Sequence, residues 1–174
     1  MSDALEQLWR ETPRPDRAQG RVRLLCVRIA AGVHQCPERV RVTPELGVEG
    51  DRWSLKPDRH PEEQVTLMEW RVAELLAGAT VPIHAAGDNV LVDLDLSEDA
   101  LPVGTQLQLG TAIVEVTAKP HNGCGKFRDR YGDAALGWVN DRAQRERRLR
   151  GVNCRVVSPG EIAVGDAISR RGPD

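Results

Sequence analysis

VGTQLQLGTAIVEVT, residues 103–117, reads as two short strands folded about one turn. Polar and apolar side chains alternate through TQLQLG (105–110) and again through AIVEVTA (112–118). That is the period of a strand with one buried face. Gly110-Thr111 lies between the two runs, so a hairpin is expected.

The same signal recurs along the chain. GRVRLLCVRIA (20–30) sets Val22 and Leu24 against Arg21 and Arg23 and then turns more apolar. ERVRVT (38–43) places Val40 and Val42 on one face. QVTLM (64–68) is a short strand running into a helix, MEWRVAELLAG (68–78), with Val72, Leu75 and Leu76 on one side and Gly78 as its stop. DNVLVDLDL (88–96) alternates, as does VNCRVV (152–157), followed by an SPGE turn and IAVGDAISR (162–170). LPVGTQLQLG (101–110) and IAVGDAISR share one layout: apolar, Val-Gly, polar, then alternation. Leu5, Leu8 and Trp9 have helical spacing, and Pro13 and Pro15 end that helix. A helical pattern also runs through AALGWVNDRAQRERRL. Short strands, glycine turns and few helices predict a mainly β domain, a closed or partly closed barrel or a sandwich with helical insertions. Its bounds are 20–170, with an N-terminal helical or irregular extension at 1–19 and a frayed tail at 171–174.

Of 174 residues, 40% are apolar and 29% charged, which suits a domain with a core and excludes global disorder. Aromatics are only 3%, so that core is mostly Val, Leu, Ile and Ala. A net charge of −2 offers no overall reason to bind nucleic acid or an anionic membrane. No apolar run reaches the roughly 18–20 residues of a membrane span, and the N-terminus has no signal-peptide centre. The expected location is the cytosol, where thiols stay reduced. Cys26, Cys36, Cys124 and Cys154 form no CxxC pair, so they suggest neither a disulfide framework nor a structural zinc site.

KPHNGCGKFRDRYGDAALGWVN (119–140) holds the cysteine that needs explaining. Cys124 sits between Gly123 and Gly125, a poor place to bury a small apolar side chain and a good one for close approach. A helix starting near 124 would present free amides to the sulfur, and His121, Lys126 and Arg128 are cations or potential cations nearby. Such surroundings lower a thiol pKa. The thiolate could attack, carry a persulfide sulfur or bind a soft metal. Cys26 and Cys154, in apolar strands, read as core, and Cys36 beside His34 has no second pair to complete a metal set. A papain-like hydrolase would place its His and Asn far downstream, whereas His121 and Asn122 precede Cys124.

Taken in order, further segments resemble the MOSC domain, found at the C-terminus of molybdenum cofactor sulfurases. LGVEGDRW (46–53), EEQVTLME (62–69), GDNVLVD (87–93), the 103–117 stretch, KPHNGCGKF (119–127) and PGEIAVGD (159–166) resemble its segments, with Asp88 where Glu is usual. Many members have Pro-Cys directly, whereas His121-Asn122-Gly123 intervenes here between Pro120 and Cys124. The resemblance implies a pyruvate-kinase-like β-barrel and an exposed cysteine that carries sulfur or binds molybdenum through the molybdenum cofactor. Carried over by position, Cys124 is the sulfur carrier or metal ligand, with His121 beside it as a second catalytic candidate. The resemblance leaves open a reductase of N-hydroxylated compounds and a non-enzymatic cofactor-binding module. No pyridoxal phosphate site is apparent, so a persulfide sulfur is expected from a partner such as a cysteine desulfurase. A molybdoenzyme is the other partner expected.

Candidate cofactor contacts follow. Asp51 and Arg52 would bring a carboxylate and a guanidinium to the pocket, or close a tight turn. Asn89 would bond a ligand or a turn. Asn122 and Lys126 flank the thiol, and Arg128 and Arg130 suit phosphate or molybdate oxygens. His60 reads as a loop residue. DRAQRERRLR (141–150) is a basic run, either a solvated helix face or a dock for an anionic cofactor or acidic partner. No aromatic residues interleave with its cations, so nucleic acid is not expected.

Overall fold

The computed structural model describes residues 2–172, so the last two residues of the expected tail lie outside it. Helix α1 (Ser2–Glu11) ends before Pro13, as its spacing predicts. Strand β1 (Gln19–Leu25) turns Val22 and Leu25 inward. The apolar run does not continue as one strand. It breaks at Cys26, and β2 (Val27–Ala30) leaves to pair with β3 (Val33–Gln35). The backbone is diverted by side chains. The Asn89 amide donates to the Cys26 carbonyl at 3.1 Å, and the Arg28 amide donates to the Asp51 carboxylate at 2.9 Å.

Strand β4 (Arg39–Thr43) alternates as expected and pairs with β5 (Gly47–Val48). Strand β6 (Val65–Glu69) runs directly into α2 (Trp70–Ala77), which Gly78 ends by donating its N–H to the Glu74 carbonyl at 3.0 Å. Only β7 (Val90–Val92) is strand within 88–96, although Leu94 and Leu96 remain buried. The hairpin is present: β8 (Gln106–Leu109) and β9 (Ala112–Val116) pair from Leu109↔Ala112, leaving Gly110-Thr111 as a two-residue turn. Helix α3 (Gly125–Val139) starts at the cysteine and is kinked at Gly132. The helical pattern after it stops at Asn140. A separate 3-10 segment, Arg142–Arg147, follows. Strands β10 (Val152–Ser158), β11 (Gly160–Ala163) and β12 (Ala167–Arg170) close the chain.

Seven strands form a closed barrel in the order β1-β12-β8-β9-β10-β6-β7, antiparallel except for β6 and β7. β4, β5 and β11 form a side sheet. The interior holds Val, Leu and Ile with no aromatic side chain. A second apolar cluster lies outside the wall, where Trp9, Val72, Leu76, Phe127 and Trp138 meet Met68 and Leu91 from β6 and β7. Helices cover these two strands, so they are buried on both faces. Each buried Leu or Val contributes about 1.5–3 kcal/mol. Packing therefore holds the ten-residue α1 in place, because a helix of that length is marginal alone.

Gly151 joins the 3-10 segment to β10 with φ 94°, and a Cβ there would overlap the Leu67 carbonyl. Gly104 has φ 87° but open space around it. Alanine costs about 1–2 kcal/mol at either site for the backbone conformation. Gly151→Ala is expected to lose clearly more than Gly104→Ala in denaturant unfolding. Equal losses would mean that the β6 backbone gives way freely.

Candidate functional site

Strand β9 delivers the chain to a loop, Thr117–Cys124, that is held at several points. The Thr117 hydroxyl donates to the Glu62 carbonyl at 2.9 Å. The Asn153 amide of β10 donates to the carbonyls of Lys119 and Pro120 at 3.1 and 3.3 Å. Asn140, just past α3, accepts from the Gly123 amide at 2.8 Å and donates to its carbonyl at 3.0 Å. Gly123 allows this approach: a Cβ there would lie 2.7 Å from Leu136 Cδ1. The loop thus ends with Cys124 at the N-cap of α3, exposed.

Cys124 opens on a cleft of about 450 Å³. Arg28, Arg52, Lys56, Lys126, Arg130 and Arg150 line it, against one carboxylate among the described residues, Glu63. Two of these arginines are neutralised from behind. Asp51 takes Arg28 Nε and NH2 at 2.9 and 2.8 Å, and Asp88 takes Arg150 NH1 at 2.5 Å. The other four cations leave the cleft strongly positive and suited to an anion.

The four cysteines diverge. Burial pushes Cys26 and Cys154 up to about 12, and it also raises Cys36. At Cys124 partial burial works upward, but the Phe127 and Lys126 amides, with the charges of Arg150 and Lys126, outweigh it and bring the thiol below its ordinary value. The sulfur makes no capping hydrogen bond of ordinary geometry, so these amides act on it as oriented dipoles.

The expected site residues fall into three groups. Arg52, Asn122, Lys126 and Arg130 line the cleft with Cys124. Asp51 and Asn89 lie beneath it, 2% and 1% exposed. Asp51 binds Arg28 rather than its neighbour Arg52. Its carboxyl is held below the usual range although burial alone would raise it, because Arg28 and the Arg28 and Trp53 amides outweigh that effect. Asn89 bonds Thr66, Cys26 and Asp51 and has no amide hydrogen left for a ligand. Arg128 points away, half exposed and 3.5 Å from Asp129. Helix geometry explains this: Lys126 and Arg130 are four apart on one face, and Arg128 lies between them on the other.

His121 differs from expectation most. It lines the cleft, but burial and the Arg150 charge press its pKa to about 3, more than Asp88 at 3.5 Å raises it. It is a neutral imidazole, and so neither a cation for the thiolate nor an effective base. Arg28, Asp88, Arg150 and Asn153 were not singled out by the sequence reading. Two had a signal: Asp88, as the Asp in the Glu position of GDN, and Arg150, as the last residue of the basic run 141–150.

A family model for the MOSC domain matches residues 59–169, and the chain belongs to that family. Among curated proteins no significant match is found. Among solved structures the YuaD protein of Bacillus subtilis is similar, with TM-score 0.66 and 15% identity over 90% of this chain and 97% of that one. YiiM from Escherichia coli is similar with TM-score 0.60 and 17% identity, over 88% of this chain and 71% of that one. YiiM from Geobacillus stearothermophilus also gives 0.60, with 18% identity over 88% and 75%. These likenesses establish the barrel fold. The family is associated with molybdenum cofactor binding and sulfur transfer. Among the described residues no helix is long and apolar enough to cross a membrane.

Two measurements check this site. Iodoacetamide at neutral pH is expected to modify Cys124 first, Cys36 more slowly, and Cys26 and Cys154 only on unfolding, as read by peptide mass spectrometry. Faster labelling of Cys36 would contradict the electrostatics described. The second concerns acid stability. The unfolded His121 takes a proton near its ordinary 6.5 and the folded one near 3, so the unfolded state binds more protons between those values. Its contribution to stability is complete above about 6.5 and declines as pH falls, by up to about 1.4 kcal/mol per pH unit. The difference in unfolding free energy between wild type and His121→Gln should shrink or reverse as pH falls through that window. A constant difference would show that His121 titrates normally when folded.

Proposed function

We propose that this cleft binds the molybdenum cofactor, with the Cys124 sulfur as the protein's ligand to the metal. The observation that carries this reading is the pairing of an exposed thiol, held below its ordinary pKa, with a cleft whose unneutralised cations are Arg52, Lys56, Lys126 and Arg130. The volume lies within the roughly 300–1,000 Å³ of small-molecule sites and suits a phosphate-bearing pterin. Among the described residues no three His, Cys, Asp or Glu side chains converge as a metal site. A metal here would arrive with ligands of its own and take one more from Cys124, which fits a cofactor that brings sulfur donors. Lys126 and Arg130, on one face of α3, would hold its anionic part, and Asn122 would offer hydrogen bonds. The bound cofactor would supply two-electron and oxygen-atom-transfer chemistry, as reduction of an N-hydroxylated compound needs.

The exposure of Cys124 also supports sulfur carriage. In that step the Cys124 thiolate attacks the outer sulfur of a donor persulfide. One S–S bond forms as the donor's breaks, the donor cysteine leaves as a thiolate, and there is no net oxidation.

The protein is purified without reductant from a host that makes the cofactor and is then analysed for molybdenum, pterin and the intact mass of Cys124. Molybdenum and pterin are expected with wild type, at least about tenfold reduced in Cys124→Ser and in Lys126→Ala/Arg130→Ala. Added sulfur on Cys124 without metal would favour carriage over ligation. If neither metal nor sulfur is found, even after incubation with isolated cofactor and with a persulfide donor, both readings fall.

A further inference from the structure

The basic run at 141–150 does not form one solvated helix face. Its arginines divide in two. Arg147 turns inward to Glu6 at 3.0 Å and lies 4.4 Å from the Trp9 ring centre. Arg148 donates to the Leu101 carbonyl at 2.6 Å, and Arg150 is held by Asp88. Arg142 and Arg145 remain exposed, with no ion pair among the described residues.

Those two arginines line a second cleft, of about 1000 Å³. Its other walls include Val103, which is 55% exposed, the buried Val139 and Val152, and two carboxylates already engaged: Asp141 caps the 3-10 segment, and Glu98 lies 3.9 Å from Arg148. It is separate from the Cys124 cleft but shares a wall with it: Pro120, His121, Asn122, Arg150 and Asn153 face both. Whatever fills the second cleft therefore lies against the loop that presents Cys124.

We infer that this second cleft docks an acidic segment of a partner protein, one that carries apolar side chains among its carboxylates. Charge selects this occupant. Arg142 and Arg145, three residues apart on the 3-10 segment, offer two separate guanidiniums, which suit carboxylates spaced along a chain better than a single small anion. Among the described residues no Phe, Tyr or Trp lines the cleft, so they offer no aromatic face on which bases would stack. The exposed Val103 offers apolar contact that an extended peptide can use. A partner seated here has a surface next to the exposed thiol, as delivery to or withdrawal from Cys124 requires. The docking itself does not rest on what Cys124 carries, so its failure and the failure of the cofactor reading are separate results.

The test is fluorescence anisotropy with a labelled peptide of glutamates and interspersed valines. Saturable binding that weakens as salt rises is expected. Arg142→Ala/Arg145→Ala is expected to bind at least about tenfold more weakly, whereas Arg39→Ala/Arg41→Ala on β4 is expected to bind as wild type does. Both arginines of the first pair are exposed and unpaired, so their removal leaves the fold intact. Absence of binding, or equal binding by the two double variants, overturns the inference. So does displacement of the peptide by inorganic phosphate at constant ionic strength, which would mark a small-anion site. An oligouridine bound as tightly through the same arginines would assign the cleft to nucleic acid instead.

Discussion

The Asp51 carboxylate fixes the rim of the barrel from which the Cys124 cleft is built. It is 2% exposed, and a buried charge without partners costs several kcal/mol. Five donors meet its two oxygens: the Arg28 amide, Nε and NH2, the Asn89 side-chain amide and the Trp53 amide. Those donors come from β2, the segment before β7 and the turn after β5. Asn89 in turn accepts from the Thr66 amide and hydroxyl of β6. The exit of β2 from the barrel, the placing of Arg28 in the cleft and the turn that exposes Arg52 all satisfy one charge. Losing any single donor would leave that charge undercompensated, so these segments are fixed together.

The cysteine loop is held by weaker bonds in greater number. Asn153 grips its start and Asn140 its end, while Thr117 ties it to the 3-10 turn before β6. Amide bonds of this kind contribute about 0.5–1.5 kcal/mol each. They leave the loop positioned without burying it. A thiol that must be reached by a large ligand or another protein needs that combination: a fixed backbone and an open side chain.

Much of the barrel was legible because strand period and turn chemistry are local. Gly110-Thr111, the Val40–Val42 face and the stop at Gly78 each need only a few neighbouring residues. Cys124 was legible for the same reason, since its glycines and the helix that follows are adjacent in the chain. The charge network was not. Arg28 meets Asp51 across 23 positions and Arg150 meets Asp88 across 62, and no spacing rule links such pairs. Arg128 was named alongside Lys126 and Arg130 by closeness to the thiol, whereas the rotation of α3 brings only Lys126 and Arg130 to the cleft. The break at Cys26 was hidden because apolar composition persists through it, while the side chains that cause it lie on other segments.

The same long-range pairing decides what His121 can do. In sequence, a histidine three residues before a cysteine invites a thiolate–imidazolium pair. In the fold, Arg150 lies beside that imidazole, and burial adds to the penalty on its charge. With a pKa near 3 it cannot accept the thiol proton to any useful extent at neutral pH, which a cysteine hydrolase requires of its base. The thiolate is favoured instead by groups that never titrate, the amides of Lys126 and Phe127, together with the fixed charges of Lys126 and Arg150. A thiol whose ionised form is favoured in this way depends less on a neighbouring base. It is suited to holding a metal or a sulfur, more than to passing a proton in each cycle of a hydrolysis.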